Sequence, residues 1–516
     1  MNRLTLRAAT FALALVAVPA LALAGGNEHG DSHPAANVQP PQSQASVTHG
    51  VVTVEGQRIR YKAIAGIMVL DNSKGKPYTS MSYFAYIRSD VRDESDRPIT
   101  FFYNGGPGSS TVWLHMLAYG PQLVKVGSGT LTPPAPYKVV NNDYSLLDAT
   151  DMVFVDAPGT GFGRVIGKSQ GGVGKPSDVY GLEPDAKAFT RFITNYLSQH
   201  SRWNSPKFLY GESYGTTRSA VLAGDLEGKS VDLNGIILQS SILNFDLSVD
   251  GPRRNPGVNI SYATGFPSYA ATAWYHHKVP NQPKKLLPFL KKVEAFSMGE
   301  YLTALNQGDL ISSQMKQKVA EQMHAYTGLP VAYILKANLK VTGGEFRHEL
   351  LGASDDVTGR LDSRYSGPAM DPMSEQAYYD PLNSAISSPT VSVFNDYVRN
   401  TLNFGKGMHY HPVIYGSMHW SWKHNGRTRT PNVMNDLAQA MKRNPNMKIL
   451  LTGGYFDLGT PFYAAEFEMH QLPIPQKLQK NISYDFYKSG HMVYLNPVSH
   501  KRIHDDAARF IEANSK

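Results

Sequence analysis

The 516-residue chain contains no cysteine. That excludes disulfides, thiolate nucleophiles and Cys-ligated metal sites, so the fold has to be held by packing, which its length and 41% hydrophobic content allow. A strong charge bias is also missing: 50 Lys and Arg stand against 42 Asp and Glu, for a net +8, with no dense basic block. This reads as a solvated basic surface and argues against nucleic acid as a partner. Long apolar runs are confined to the N-terminus, where the stretch from Ala8 to Ala24 is 17 residues long and is interrupted by Pro19. It falls short of the roughly 20 residues that span a bilayer. No repeat of fixed period is visible.

What is present at the N-terminus has the layout of a secretory signal. Arg3 and Arg7 precede the apolar stretch, and Ala22-Leu23-Ala24 forms an A-x-A cleavage site before Gly25-Gly26. The competing membrane anchor lacks length and a basic flank. Residues 1–24 are therefore expected to be a signal peptide, 25–48 a disordered polar tail, and the protein exported to the periplasm or beyond, without stable membrane insertion. His29, Asp31 and His33 could meet a metal ion, but nothing rigid holds them.

From 51 to 70, alternation around Glu55-Gly56 predicts antiparallel strands, and 81–87 predicts another. Short apolar runs at 99–103, 152–155, 208–210, 236–238 and 449–451, bounded by Gly, Asn or Asp, fit strands buried on both faces of a mostly parallel sheet. Helical spacing is clear at Ala186, Phe189, Phe192, Ile193, Tyr196 and Leu197, and further helices are expected over 432–442 and 498–513. The alternation predicts an α/β fold with ligands at the carboxyl ends of the strands. It breaks down over 246–425, which reads as an inserted cap between two parts of the core, 49–245 and 426–516.

Tyr210-Gly211-Glu212-Ser213-Tyr214-Gly215 follows one apolar run and precedes a helical stretch, so Ser213 is a candidate nucleophile on a strand-to-helix elbow. G-x-S-x-G alone is a moderate signal; a serine hydroxyl also needs a base and a carboxylate to orient it. Asp457, just past the run 448–452, and His491, after the alternating run 482–487, follow in the order Ser, Asp, His. Asp485 is a rival carboxylate but falls inside a strand. Oxyanion donors are expected from the N–H after the nucleophile, Tyr214, and from the loop Tyr103-Asn104-Gly105-Gly106-Pro107-Gly108. Other motifs fail: Gly167-Lys168-Ser169 has Phe162 where a phosphate loop needs Gly, His348-Glu349 lacks a second histidine, and His409, His411 and His419 have no standard metal spacing.

Asn104-Gly105-Gly106-Pro107-Gly108-Ser109-Ser110, Asp156-Ala157-Pro158-Gly159-Thr160-Gly161-Phe162, Gly211-Glu212-Ser213-Tyr214-Gly215, Asp457 and Gly490-His491-Met492 together resemble the ordered motifs of the serine carboxypeptidase family. The resemblance implies an α/β-hydrolase fold with a mostly parallel central sheet, and an acyl-enzyme mechanism on peptides with a free C-terminus. It assigns Asn104, Gly105 and Glu212 to the substrate carboxylate, and Gly106 and Tyr214 to the oxyanion hole. No metal or cofactor is implied. Two carboxylates in contact must share a proton, so Glu212 is expected to have a raised pKa with substrate bound, and activity to be best in acid. Ser109 stands where many members carry cysteine, and the absent disulfides suggest a bacterial-type exported version. An acyltransferase or esterase on the same scaffold, or a non-catalytic binder of peptide tails, are the competing readings.

Overall fold

The computed structural model describes residues 38–516, of which Gln39–Lys516 form one unit. The expected signal peptide, most of the expected tail and the His29, Asp31 and His33 group lie outside the described residues. Nine strands make the central sheet: β1 (Gln44–Val54), β2 (Gln57–Asp71), β3 (Pro77–Arg88), β4 (Ile99–Tyr103), β5 (Asp151–Val155), β6 (Lys207–Glu212), β7 (Gly235–Gln239), β8 (Lys448–Gly454) and β9 (Ile482–Tyr487). Their spatial order is β1-β2-β3-β5-β4-β6-β7-β8-β9. The first three pair antiparallel with one another and β3 with β5; from β5 to β9 every pair is parallel.

The hairpin of β1 and β2 turns at Glu55 and Gly56, with φ of 46° and 89°, as a two-residue turn requires. Strand β1 starts at Gln44, so residues 44–48 are not tail. Their polar side chains read as disorder, but Gln44 pairs with Ile67 and Thr48 with Ala63 through the backbone, and an edge strand tolerates polar residues on its open faces. The short runs predicted as buried strands are buried throughout: β4, β5, β6 and β7 have no exposed position.

Helices cover both faces. On one lie α1 (Leu182–Gln199), α2 (Tyr214–Glu227) and Met434–Arg443, contributing Phe189, Phe192, Leu222, Leu226, Leu437 and Met441 to one core cluster. The predicted start of Met434–Arg443 at 432 moves by two residues: Asn432 pairs its backbone with Asn244, and its side chain accepts from the Met434 N–H in a local turn before the helix. On the other face, Pro497–Ala513 packs with residues from all along the chain.

The segment 246–425 does not behave as one layer. Helices Ile260–Tyr275, Leu286–Phe296 and Ser313–Thr327 build a separate apolar cluster that meets the sheet through Phe456, Leu458 and Phe462. Helix α3 (Pro381–Asn400) instead inserts Leu382, Ala385, Ile386, Phe394, Tyr397 and Val398 into the core beneath the sheet. No helix of the described residues is long and apolar enough to cross a membrane.

Candidate active site

The parallel ladder brings the candidate residues to one edge. Tyr103 at the end of β4 pairs with Gly211, Glu212 at the end of β6 pairs with Gln239, and Gly454 of β8 pairs with Tyr487 of β9. The loops leaving these strands therefore open side by side at the carboxyl ends. Ser213 is the elbow between β6 and α2, with φ 62° and ψ −130°, a conformation that costs a non-glycine residue of order 1–3 kcal/mol. Gly211 is required there: a Cβ would lie 2.4 Å from the Gly215 carbonyl oxygen. The result is a half-exposed Ser213 raised above buried neighbours.

Asp457 and His491 are in direct contact. His491 Nδ1 lies 2.7 Å from Asp457 Oδ2, the separation at which a ring N–H donates to a carboxylate. Thr460 Oγ1 donates to the same oxygen at 2.7 Å, while the N–H groups of Gly459 and Thr460 donate to Oδ1 at 2.8 and 3.0 Å. The carboxylate is fully satisfied although completely buried. The ring is fixed from its backbone as well, since the His491 carbonyl accepts from Ser240 Oγ at 2.7 Å and Gln239 Nε2 at 3.1 Å. Burial works against charging His491, but the Asp457 carboxylate outweighs it and the pKa stands above its ordinary value. Ser213 and His491 line one cavity of about 550 Å³, without a hydrogen bond of 3.5 Å or less between them. Asp485 lies mid-strand opposite Thr452, away from this arrangement.

Glu212 is buried beside the elbow and holds three donors. Asn104 Nδ2 gives to Oε1 at 2.7 Å; Gln239 Nε2 and the Tyr494 hydroxyl give to Oε2, each at 2.8 Å. Burial pushes its pKa up to about 7, against the pull of His491 and of these hydrogen bonds. The shift thus arises before any substrate carboxylate arrives, which differs from the expectation that substrate would cause it. Asn104 is itself held, its Oδ1 accepting from the Leu114 N–H at 3.1 Å.

The glycine loop lies directly on the elbow: a Cβ on Gly105 would meet Tyr214 N at 2.4 Å and the Glu212 carbonyl oxygen at 2.7 Å. Gly106 has φ 113° and lines the same cavity as Ser213. Tyr214 is the first residue of α2, where an N–H has no intrahelical acceptor and is free to point at a ligand. Ser109 accepts from Trp113 Nε1 at 2.8 Å in the cavity wall.

Several residues escaped the sequence reading. Gln239 and Tyr494 complete the Glu212 shell, and Thr460 the Asp457 shell; their signals were weak, a strand-end polar residue and hydroxyls three positions after His491 and Asp457. The segment 360–363 could not have been found at all. The Leu361 carbonyl accepts from the His491 N–H at 2.6 Å and the Arg360 carbonyl from the Leu458 N–H at 2.9 Å, contacts that join a stretch expected in the cap to both candidate loops. His409 and His411 meet edge-on, with ring centroids 4.9 Å apart, and His411 pairs its backbone with Gly161.

Serine carboxypeptidase-like 3 of Arabidopsis thaliana is 27% identical over 171 residues, 32% of this chain and 36% of that protein. The pheromone-processing carboxypeptidase KEX1 of Saccharomyces cerevisiae is 30% identical over 134 residues, 26% of this chain and 17% of that one. The chain thus matches about a third or less of the length of these relatives. In overall fold it is similar to the crystal structure of KEX1(delta)p, a prohormone-processing carboxypeptidase from the same yeast, with a TM-score of 0.53, 15% identity, and coverage of 93% of this chain and 92% of the other. The serine carboxypeptidase family model matches residues 56–492, a span that holds strands β2 to β9 and the loops that carry the candidate residues, and the chain belongs to that family.

Proposed function

We propose that the chain is a serine-type carboxypeptidase that releases C-terminal residues from peptides through an acyl-enzyme. Ser213 attacks the last peptide bond while His491 takes its proton; His491 then gives that proton to the leaving amine, and Asp457 orients the ring and stabilises its charged form. The N–H groups of Gly106 and Tyr214 receive the developing oxyanion. Water, deprotonated by His491, then releases the acyl group from Ser213. Asn104, the Gly105 N–H and protonated Glu212 hold the free carboxylate of the leaving residue.

The observation that carries this reading is Glu212, a buried acid held by Asn104, Gln239 and Tyr494 beside the nucleophile. A simple esterase or acyltransferase has no use for such a group, and a site built to bond one polar group discriminates strongly against analogues lacking it. One peptide assayed as free acid and as C-terminal amide tests it. Cleavage of the free acid should exceed that of the amide by at least about 100-fold and vanish in Ser213→Ala; equal rates would support the esterase or acyltransferase reading instead. A non-catalytic binder would show no turnover and no labelling by a serine-reactive probe. We further infer export after removal of residues 1–24, supported by the Arg-flanked apolar N-terminus and its A-x-A site. The intact mass of the secreted or periplasmic protein checks it: a mature chain that still begins at Met1 rejects the cleavage.

A further inference from the structure

Which residue is released depends on the walls around the carboxylate grip, and the inference here rests on the carboxypeptidase reading. Two cavities meet at Ser213, one of about 550 Å³ and one of about 520 Å³, and Gly106 and Arg360 also border both. Asn104 and Glu212 line only the first. A peptide whose terminal carboxylate reaches that pair therefore lays its last residue in the first cavity and its acyl part in the second.

The first cavity is walled by Trp113, Leu361, Ile386, Val391, Val413 and Met492. Away from the elbow and the glycine loop, its neutral polar lining is Tyr415 and two positions one turn apart on α3, Asn383 and Ser387, beside Ile386 and Val391. The charged groups there are already engaged: Glu212 by its three donors and Arg360 by the Asp250 carboxylate, with Nε to Oδ1 at 2.8 Å. Among the described residues no second carboxylate lines it to meet a lysine or arginine. The second cavity differs, being bordered by Asp246, Asp250, Arg254 and Arg429.

We propose that the enzyme selects C-terminal residues with bulky apolar side chains, of the leucine and phenylalanine class, and that α3 sets this choice, with Ser387 the position that determines charge preference. A charged side chain in this cavity gives up water without gaining a partner, whereas an apolar one is freed from water against apolar walls. A carboxylate at 387 would supply the missing partner.

The test uses N-blocked dipeptides of one acyl residue, alanine, ending in Leu, Phe, Lys or Glu, together with the C-terminal amide of the Leu substrate. Leu and Phe should exceed Lys and Glu in kcat/KM by at least about tenfold, and Ser387→Asp should raise the Lys to Leu ratio by at least about tenfold. Asn383→Asp, at an exposed position of the same helix, should move the ratio in the same direction and serves if Ser387→Asp does not fold. Free acids cleaved without preference for Leu and Phe, or a ratio unmoved in a folded variant, overturn the inference alone. Equal cleavage of the Leu acid and its amide overturns the carboxypeptidase reading, and the inference with it.

Discussion

Glu212 is a buried carboxyl whose three donors only partly offset the cost of ionising it, and its pKa is raised to about 7. In the proposed role its proton bridges to the substrate carboxylate, so binding of free-acid peptides is present below that pH and is lost as pH rises through it. His491 imposes the opposite limb, because it must be neutral to accept the Ser213 proton, and Asp457 moves that limb upward. The two groups interact, and the profile reports the pair. For free-acid peptides kcat/KM should therefore fall above about pH 7. Glu212→Gln, which donates at every pH, should flatten that alkaline fall while losing about 1.5–3 kcal/mol of transition-state binding. An unchanged alkaline limb in Glu212→Gln would falsify the assignment.

The elements that carry the loops are tied together by one buried cation. Arg218 of α2 forks onto Asp185 of α1, Nε to Oδ2 at 2.6 Å and Nη2 to Oδ1 at 3.3 Å, and donates from Nη1 to the Asn104 carbonyl at 2.9 Å. Its guanidinium lies 4.3 Å from the centre of the Phe189 ring. Two helices and the loop after β4 thus share a contact that no solvent reaches. Arg218→Met should destabilise the protein by about 3–5 kcal/mol, since it strands the Asp185 charge. The double variant Arg218→Met, Asp185→Leu should recover much of that loss in urea unfolding, because both charges are then gone. A double variant less stable than the single one would reject the pair as the cause.

Over the whole molecule, burial displaces titrations in both directions. Asp156, Glu212 and Glu468 are pushed up to about 6, 7 and 8, and His115 and His500 down to about 3 and 4. Raised carboxyls contribute stability that is complete below their unfolded pKa, near 4, and is lost as pH rises through the folded values. The neutral buried histidines contribute stability present above about 6.5 and lost as pH falls from there. The sets oppose each other between about pH 4 and 6.5; above 6.5 the carboxyls act through Glu212 and Glu468, and His491, with its pKa raised beside Asp457, loses stability in the same direction as pH rises. Unfolding free energy should therefore drop by about 2 kcal/mol between pH 6.5 and 8.5. Glu468→Gln, which keeps an acceptor for one of the Leu243 and Asn244 N–H groups and removes the titration, should shrink the drop. Stability rising over that interval would show that these buried acids do not govern it.

The sequence by itself determined what is local. Alternating or short continuous apolar runs marked β2 to β9, and helical spacing marked the helices on one face and Pro497–Ala513 on the other. The elbow glycines, the loop 104–108 and the strand-end positions of Asp457 and His491 named the candidate site, because tight turns and buried strands leave few residue types to choose from. Tertiary structure alone decided what depends on neighbours distant in the chain. The polar strand at 44–48 exists because a backbone ladder ignores side-chain chemistry. Gln239 and Tyr494 reach Glu212, and residues 360–363 brace His491, through contacts with no sequence periodicity. Helix α3 left the expected cap for the main core because its apolar face found a partner there, and in doing so it built the wall against which the released residue would lie.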